Sequence, residues 1–188
     1  TLTGVGGDIS VGVLGGGGGA DVAAVLADVT ATATAGSDIT VGNLSADTST
    51  DSVTDLAMTV TASANGTTAG ADTSSVSLGN IDNQFGTITA NLSGEHAVDL
   101  DVLTAVDVTI ARSGAGATDI VDIAASGDVS VTLTGSGAID IGESGTPVTV
   151  TGDFTVAGGT HTGAIDIDTD STSNVTITTG SGDDTIVA

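Results

Sequence analysis

The chain has 188 residues, with 24 acids against a single Lys or Arg and a formal net charge of −23. That balance excludes nucleic-acid binding, which needs cations to neutralise phosphates; it disfavours anionic membranes and acidic polysaccharides, and it suits divalent cations. There is no cysteine, hence no disulfide scaffold or thiol chemistry, and no apolar run reaches the ~18–20 residues of a membrane span. Reading along the chain, "TLTGVGGDIS" (Thr1–Ser10) opens with a partial glycine-aspartate turn, Gly4 to Asp8, and "GGGGG" (Gly15–Gly19) is a corner or loop. "ADVAAVLADV" (Ala20–Val29) suits a short helix by composition, although "TATATAG" directly after it reads as strand. The polar stretch from Ser45 to Asp55 reads as a loop. Residues 1–55 are the less regular part of one domain, 1–188, with no linker to divide it.

Composition selects the fold class. The residues that build soluble helices are scarce, whereas Val, Ile and Thr suit strands and Gly, Asp, Asn and Ser suit turns. The expectation is all-β. Disorder would also account for 1 % aromatics and a high charge. It does not account for 39 % hydrophobic residues that alternate in ordered runs.

A four-residue phrase recurs: Asp or Asn, apolar, Ser or Thr, Val or Ile. It appears as "DISV" from Asp8, "DITV" from Asp38, "DVTI" from Asp107, "DVSV" from Asp128, "DFTV" from Asp153 and "NVTI" from Asn174. The last four begin 21, 25 and 21 residues apart. A weaker copy, "GTIT", starts at Gly86, one such period before Asp107. Second strands lie between: "IVDI" from Ile120, "AIDI" from Ala138, "PVTV" from Pro147 and "AIDI" from Ala164. "TLTGVGGDIS" is echoed by "TLTGSGAIDI" (Thr132–Ile141).

Two architectures fit strands at this spacing. One is a mainly parallel β-solenoid with coils of about 20 residues, two strands to a coil; the alternative is an antiparallel β-sandwich. In "DVSVTLTG" alternation turns Val129, Val131 and Leu133 inward and Ser130, Thr132 and Thr134 outward. Phe85 and Phe154 read as core plugs or end-caps.

"GSGDDTI" (Gly180–Ile186), "GVGGD" (Gly4–Asp8) and the stretch Ala105–Ile141 resemble the Gly/Thr/Asp-rich β-solenoids of bacterial surface-layer proteins and calcium-dependent adhesins of the repeats-in-toxin type. The resemblance implies calcium. In that family turn carbonyls and an aspartate bind the ion together with the next coil, about 18 residues on. Gly180, Gly182 and Asp184 match the family's turn, with Asp183 beside them, while Thr179 replaces its first glycine; Asp8 is the counterpart near the other end. Calcium takes six to eight hard oxygens, so one half-turn needs a partner. The candidates are Asp166, a coil beyond Ala188 or another molecule. A glycine-rich turn with no ion is the other reading.

Asp166, Asp168 and Asp170 form a second candidate for calcium. Alternation puts Asp166 and Asp168 on one face opposite Ile165 and Ile167, where like charges repel unless a cation or solvent screens them. "VDLDV" repeats this with Asp99 and Asp101. His96 and His161 lack any transition-metal spacing, no serine sits in a nucleophile elbow, and Arg112 alone is too few cations for an enzyme acting on acidic sugars. No enzyme activity is expected. Sequons fall at Asn43, Asn65, Asn91 and Asn174, the last expected to be the least accessible.

The function expected is that of an extracellular structural protein at the cell surface, a calcium-stabilised subunit of a surface layer, sheath or fibre. It would self-assemble by coil stacking, with itself as partner and without nucleic acid or membrane insertion. The alternative is a spacer or stalk domain of a large calcium-dependent adhesin, with a cell-surface glycan met through other domains. With no initiator Met or leader, the chain is expected to be a fragment of a longer or polymeric one.

Overall fold

The computed structural model describes residues 1–5, 9–12, 14–15, 28–34, 37–45, 57–65 and 74–188. Among them there is no helix, and the strands join one mostly parallel sheet. Among the described residues antiparallel contact is limited to an isolated bridge, Glu143–Thr146, so the sandwich alternative does not describe them. The proposed loop at Ser45–Asp55 and helix at Ala20–Val29 lie outside the described residues, except at their edges. Ser45 closes the strand Leu44–Ser45, and Asp28 and Val29 open the strand Asp28–Thr34.

Each pass of the chain pairs with the next, and the pairings fall into three files. The first holds Leu2–Val5, Asp28–Thr34, Ala57–Asn65, the ends of Ile81–Gly94 and Val98–Ser113, then Val129–Gly135, Phe154–His161 and Val175–Thr178. The second holds Ile9–Val11, Asp38–Val41, Ser75–Leu78, the starts of Val98–Ser113 and Thr118–Ala125, then Ile139–Ile141, Ile165–Asp168 and Thr185–Val187. The third is made of short pieces such as Leu14–Gly15, Leu44–Ser45 and Thr149–Val150. Among the described residues most passes have three strands in place of the two expected, and the last two have two. The third strand is easily missed, because it is two residues long or runs on from its neighbour without a turn.

Alternation sets the core. Val129, Val131 and Leu133 are inward and buried, as are Ile139, Ile141, Ile165 and Ile167. Phe154 fills the first file from inside and is 0 % exposed. A buried aliphatic side chain stabilises by roughly 1.5–3 kcal/mol, and stacking repeats that gain at every pass.

The recurring phrase divides between two files. "DVTI", "DVSV", "DFTV" and "NVTI" lie in register in the first file, with Val108 opposite Val129, Val129 opposite Phe154, and Phe154 opposite Val175. "DITV" lies in the second, where Ile39 pairs with Ile9 and Val76. "GTIT" is offset by one from the period expected of it, since Thr87, and not Gly86, faces Asp107. The slip has a cause: only this register turns Ile88 inward.

Glycine holds the corner after the first file. Gly94, Gly114 and Gly135 have φ of 124°, 106° and 107°, a region that strains any residue with a Cβ. A Cβ on Gly135 would also stand 2.1 Å from the Gly114 carbonyl oxygen.

Candidate functional site

Why does the phrase begin with Asp? In the first file Asp107 accepts the backbone N–H of Asp128 at 2.7 Å, and Asp128 accepts that of Asp153 at 2.9 Å. The Asn174 side chain donates to Asp153 at 3.0 Å. Each carboxylate thus satisfies a donor of the next pass just before its strand begins. Asp107 and Asp128 tie passes together through hydrogen bonds from backbone, and Asp153 through one from the Asn174 side chain.

The second file is different. Its corners repeat one pattern: Gly94 to Leu100, Gly114 to Ile120, Gly135 to Ile141, His161 to Ile167 and Gly180 to Ile186. The sixth residue of the first four is Asp99, Asp119, Asp140 and Asp166. Asp119 faces Asp140 and Asp140 faces Asp166, while the pairing of Leu100 with Ile120 sets Asp99 beside Asp119. Adjacent parallel strands are about 4.8 Å apart, so four carboxylates stand in a row at that interval. They line an open hollow of about 320 Å³ together with Asp183 of the next pass.

Electrostatics follow from the row. The Asp140 carboxyl is raised above its usual value, first by burial and then by the charges of Asp119, Asp166 and Glu143. Burial also raises Asp99; a hydrogen bond from the Asp119 backbone opposes this, and the Asp119 charge adds to it. One oxygen of Asp119 is buried without a hydrogen-bond partner, as is one of Asp122, whose carboxyl burial raises too. Among the described residues no three or more such groups close round a point. The carboxylates form a row that neighbouring cations could bridge.

Of the residues expected to hold calcium, Asp166 and Asp183 meet in this hollow. Asp168 shares the outward side of its strand with Asp166 as expected, but neither it nor Asp170 lines the hollow. The Asp170 backbone donates to Val148. Asp184 takes the inward position held by Ile165 one pass earlier and accepts the Ile165 N–H at 3.0 Å, a spacing of 19 residues. Asp166 therefore faces Thr185, and not Asp184, the partner expected by counting back 18 residues. Gly180 and Gly182 are corner residues, where a Cβ would strike the carbonyls of His161 and Gly163 at 1.7 and 2.1 Å. Asp8 lies outside the described residues. Sequence reasoning passed over Asp119 and Asp140; their signal was the sixth place of the recurring corner, visible only once the corners are aligned.

Two buried cationic or titratable side chains support the same corner. Arg112 is 2 % exposed and donates to the Thr118 hydroxyl and the Gly116 carbonyl, each at 2.5 Å. His161 Nε2 lies 2.8 Å from the Gly137 carbonyl. Asn174, expected to be the least accessible sequon, is exposed, whereas Asn65 is half-buried. The hydrogen bond of Asn174 to Asp153 lies on the outer surface, which accounts for this. No helix among the described residues is long and apolar enough to cross a membrane. Scans against protein-family models, curated proteins and solved structures found no match to this chain.

Proposed function

We propose that the three files are the sides of a parallel β-solenoid, and that the chain is an extracellular structural protein stabilised by calcium. It serves as a subunit of a surface layer, sheath or fibre that grows by stacking coils. The observation that carries this reading is the row Asp99, Asp119, Asp140 and Asp166. Four carboxylates about 4.8 Å apart repel unless a counter-ion lies between them, and a divalent cation bridges two neighbours where a monovalent one cannot. Hard oxygen ligands favour calcium. Coil stacking is supported by the inward apolar positions that recur in register from pass to pass, such as Val108, Val129 and Phe154 in the first file and Ile139 and Ile165 in the second.

Sedimentation velocity in EDTA and then in millimolar calcium, with circular dichroism on the same samples, tests this. A folded protein that grows into large species only with calcium is the expected result. A calcium-stabilised monomer would replace the assembly subunit by the adhesin stalk. A chain folded and unchanged in both buffers would remove calcium from the account.

A further inference from the structure

In a chain of net charge −23, the first file carries an outward row with no carboxylate over six successive strands, from Thr59 to Thr176; Asp28, opposite Thr59 on the strand before, ends the row. Thr59, Thr89, Thr109, Ser130, Thr155 and Thr176 stand opposite one another on six successive strands. A second hydroxyl row runs two residues further along, interrupted at Asn91, Ala111 and Ala157. Around Ala111 the interruption opens a hollow of about 210 Å³ whose lining joins hydroxyl and amide side chains with Leu92, Ala111 and Arg112. Besides Asp28 at the end of the row, the nearest acids, Asp107, Asp128 and Asp153, lie two residues before it. Asp107 and Asp128 are engaged with backbone N–H groups of the next pass.

We propose that this face binds ice. A parallel sheet spaces its outward side chains about 4.8 Å apart across strands and about 6.6 Å apart along them. Ice is a tetrahedral network of O–H···O bonds of about 2.75 Å, which puts second-neighbour oxygens about 4.5 Å apart and the layer repeat near ~7.3 Å. Both spacings agree to within about a tenth. Threonine suits the task because its methyl group gives up liquid water at little cost while its hydroxyl joins the lattice. Carboxylates would hold their own hydration in a different geometry, and they are confined to the edge of the face. A glycan is the poorer fit, since aromatic residues for stacking sugars make up 1 % of the chain. The proposal is independent of what the acidic row binds.

Ice-affinity partition tests it, using the whole chain in calcium buffer with a fluorescent dye on its N-terminal amine and albumin as the inert control. Inhibition of ice recrystallisation is the second readout. The variants are T109Y/T155Y, which breaks the flatness of the row, and the milder T109A/T155A. Circular dichroism and protection of buried Arg112 from trypsin check their fold. Incorporation of the parent chain into ice, lost in folded T109Y/T155Y or T109A/T155A, is the expected result. A folded parent chain excluded from ice as albumin is would overturn the proposal. So would a parent chain and two folded variants that enter ice equally. Exclusion of the parent, with self-association lost in the variants, would assign the face to a second copy instead.

Discussion

Two outward faces of this molecule share one backbone plan and differ in chemistry. Both rest on inward Val, Ile and Leu in register; the hydroxyl row runs over six successive strands and the carboxylate row over four, between Ser77 and Thr185. The first file presents Thr and Ser, and its Asp107 and Asp128 are spent on backbone N–H groups at the strand entrances. The second presents Asp99, Asp119, Asp140 and Asp166 side by side, with an oxygen of Asp119 buried and unpartnered. The inside determines that the passes stack, and the outside is free to carry function. Repetition multiplies whatever the outward position holds, a neutral lattice on one face and a charge ladder on the other.

The largest expected effect breaks both faces together. Phe154→Ala empties a fully buried position and should cost about 3–5 kcal/mol, read as a lower midpoint in urea with loss of strand signal. Next is Gly135→Ala, which meets a φ of 107° and the Gly114 carbonyl at once. Strain of this kind costs on the order of 1–3 kcal/mol, again without regard to calcium.

The acidic face can be separated from the neutral one by pH. The carboxyls of Asp99, Asp122 and Asp140 are raised above their usual value, so the folded chain binds more protons than the unfolded chain between the usual and the raised values. Stability from these groups is therefore present at low pH and lost as pH rises through the raised values. In EDTA, Asp140→Asn should raise Tm at pH 7 and flatten the fall in Tm between pH 4 and pH 7. A Tm unaffected by this substitution would show that the row carries no strain. The smallest effect belongs to the neutral face. Thr109→Val should shift stability by no more than about 0.5 kcal/mol and leave the pH profile of Tm unchanged.

Much of the inward pattern was legible in the sequence. Alternation alone named Val129, Val131 and Leu133 as core, and residue type named Phe154. Register was not, because the pairing partner depends on how many residues each corner and insertion consumes. That is why "GTIT" stands one residue away from its expected place, and why likeness of phrase does not show that "DITV" lies in a different file from "DVTI". The site was half legible. Asp166 draws notice for its own cluster, Asp166–Asp168–Asp170, while its neighbour Asp140, and Asp119 one strand beyond, sit in unremarkable local sequence. What makes them a site is stacking, which joins residues a full pass apart. "GSGDDTI" shows the converse. Its glycines take the places of Gly114 and Gly116 or Gly135 and Gly137 in earlier corners, and Asp183, Asp184 and the Thr185 that stands in place of the sixth-position aspartate set it apart.

The most direct test of the acidic row compares thermal melts of the parent chain and D119N/D140N at pH 7, in EDTA and across a calcium titration. The account predicts that calcium raises the Tm of the parent, by about 2.7 kcal/mol of stability per site at a hundredfold excess over Kd. The double variant should start higher in EDTA and gain little. An equal gain in both proteins, or none in the parent, would contradict it.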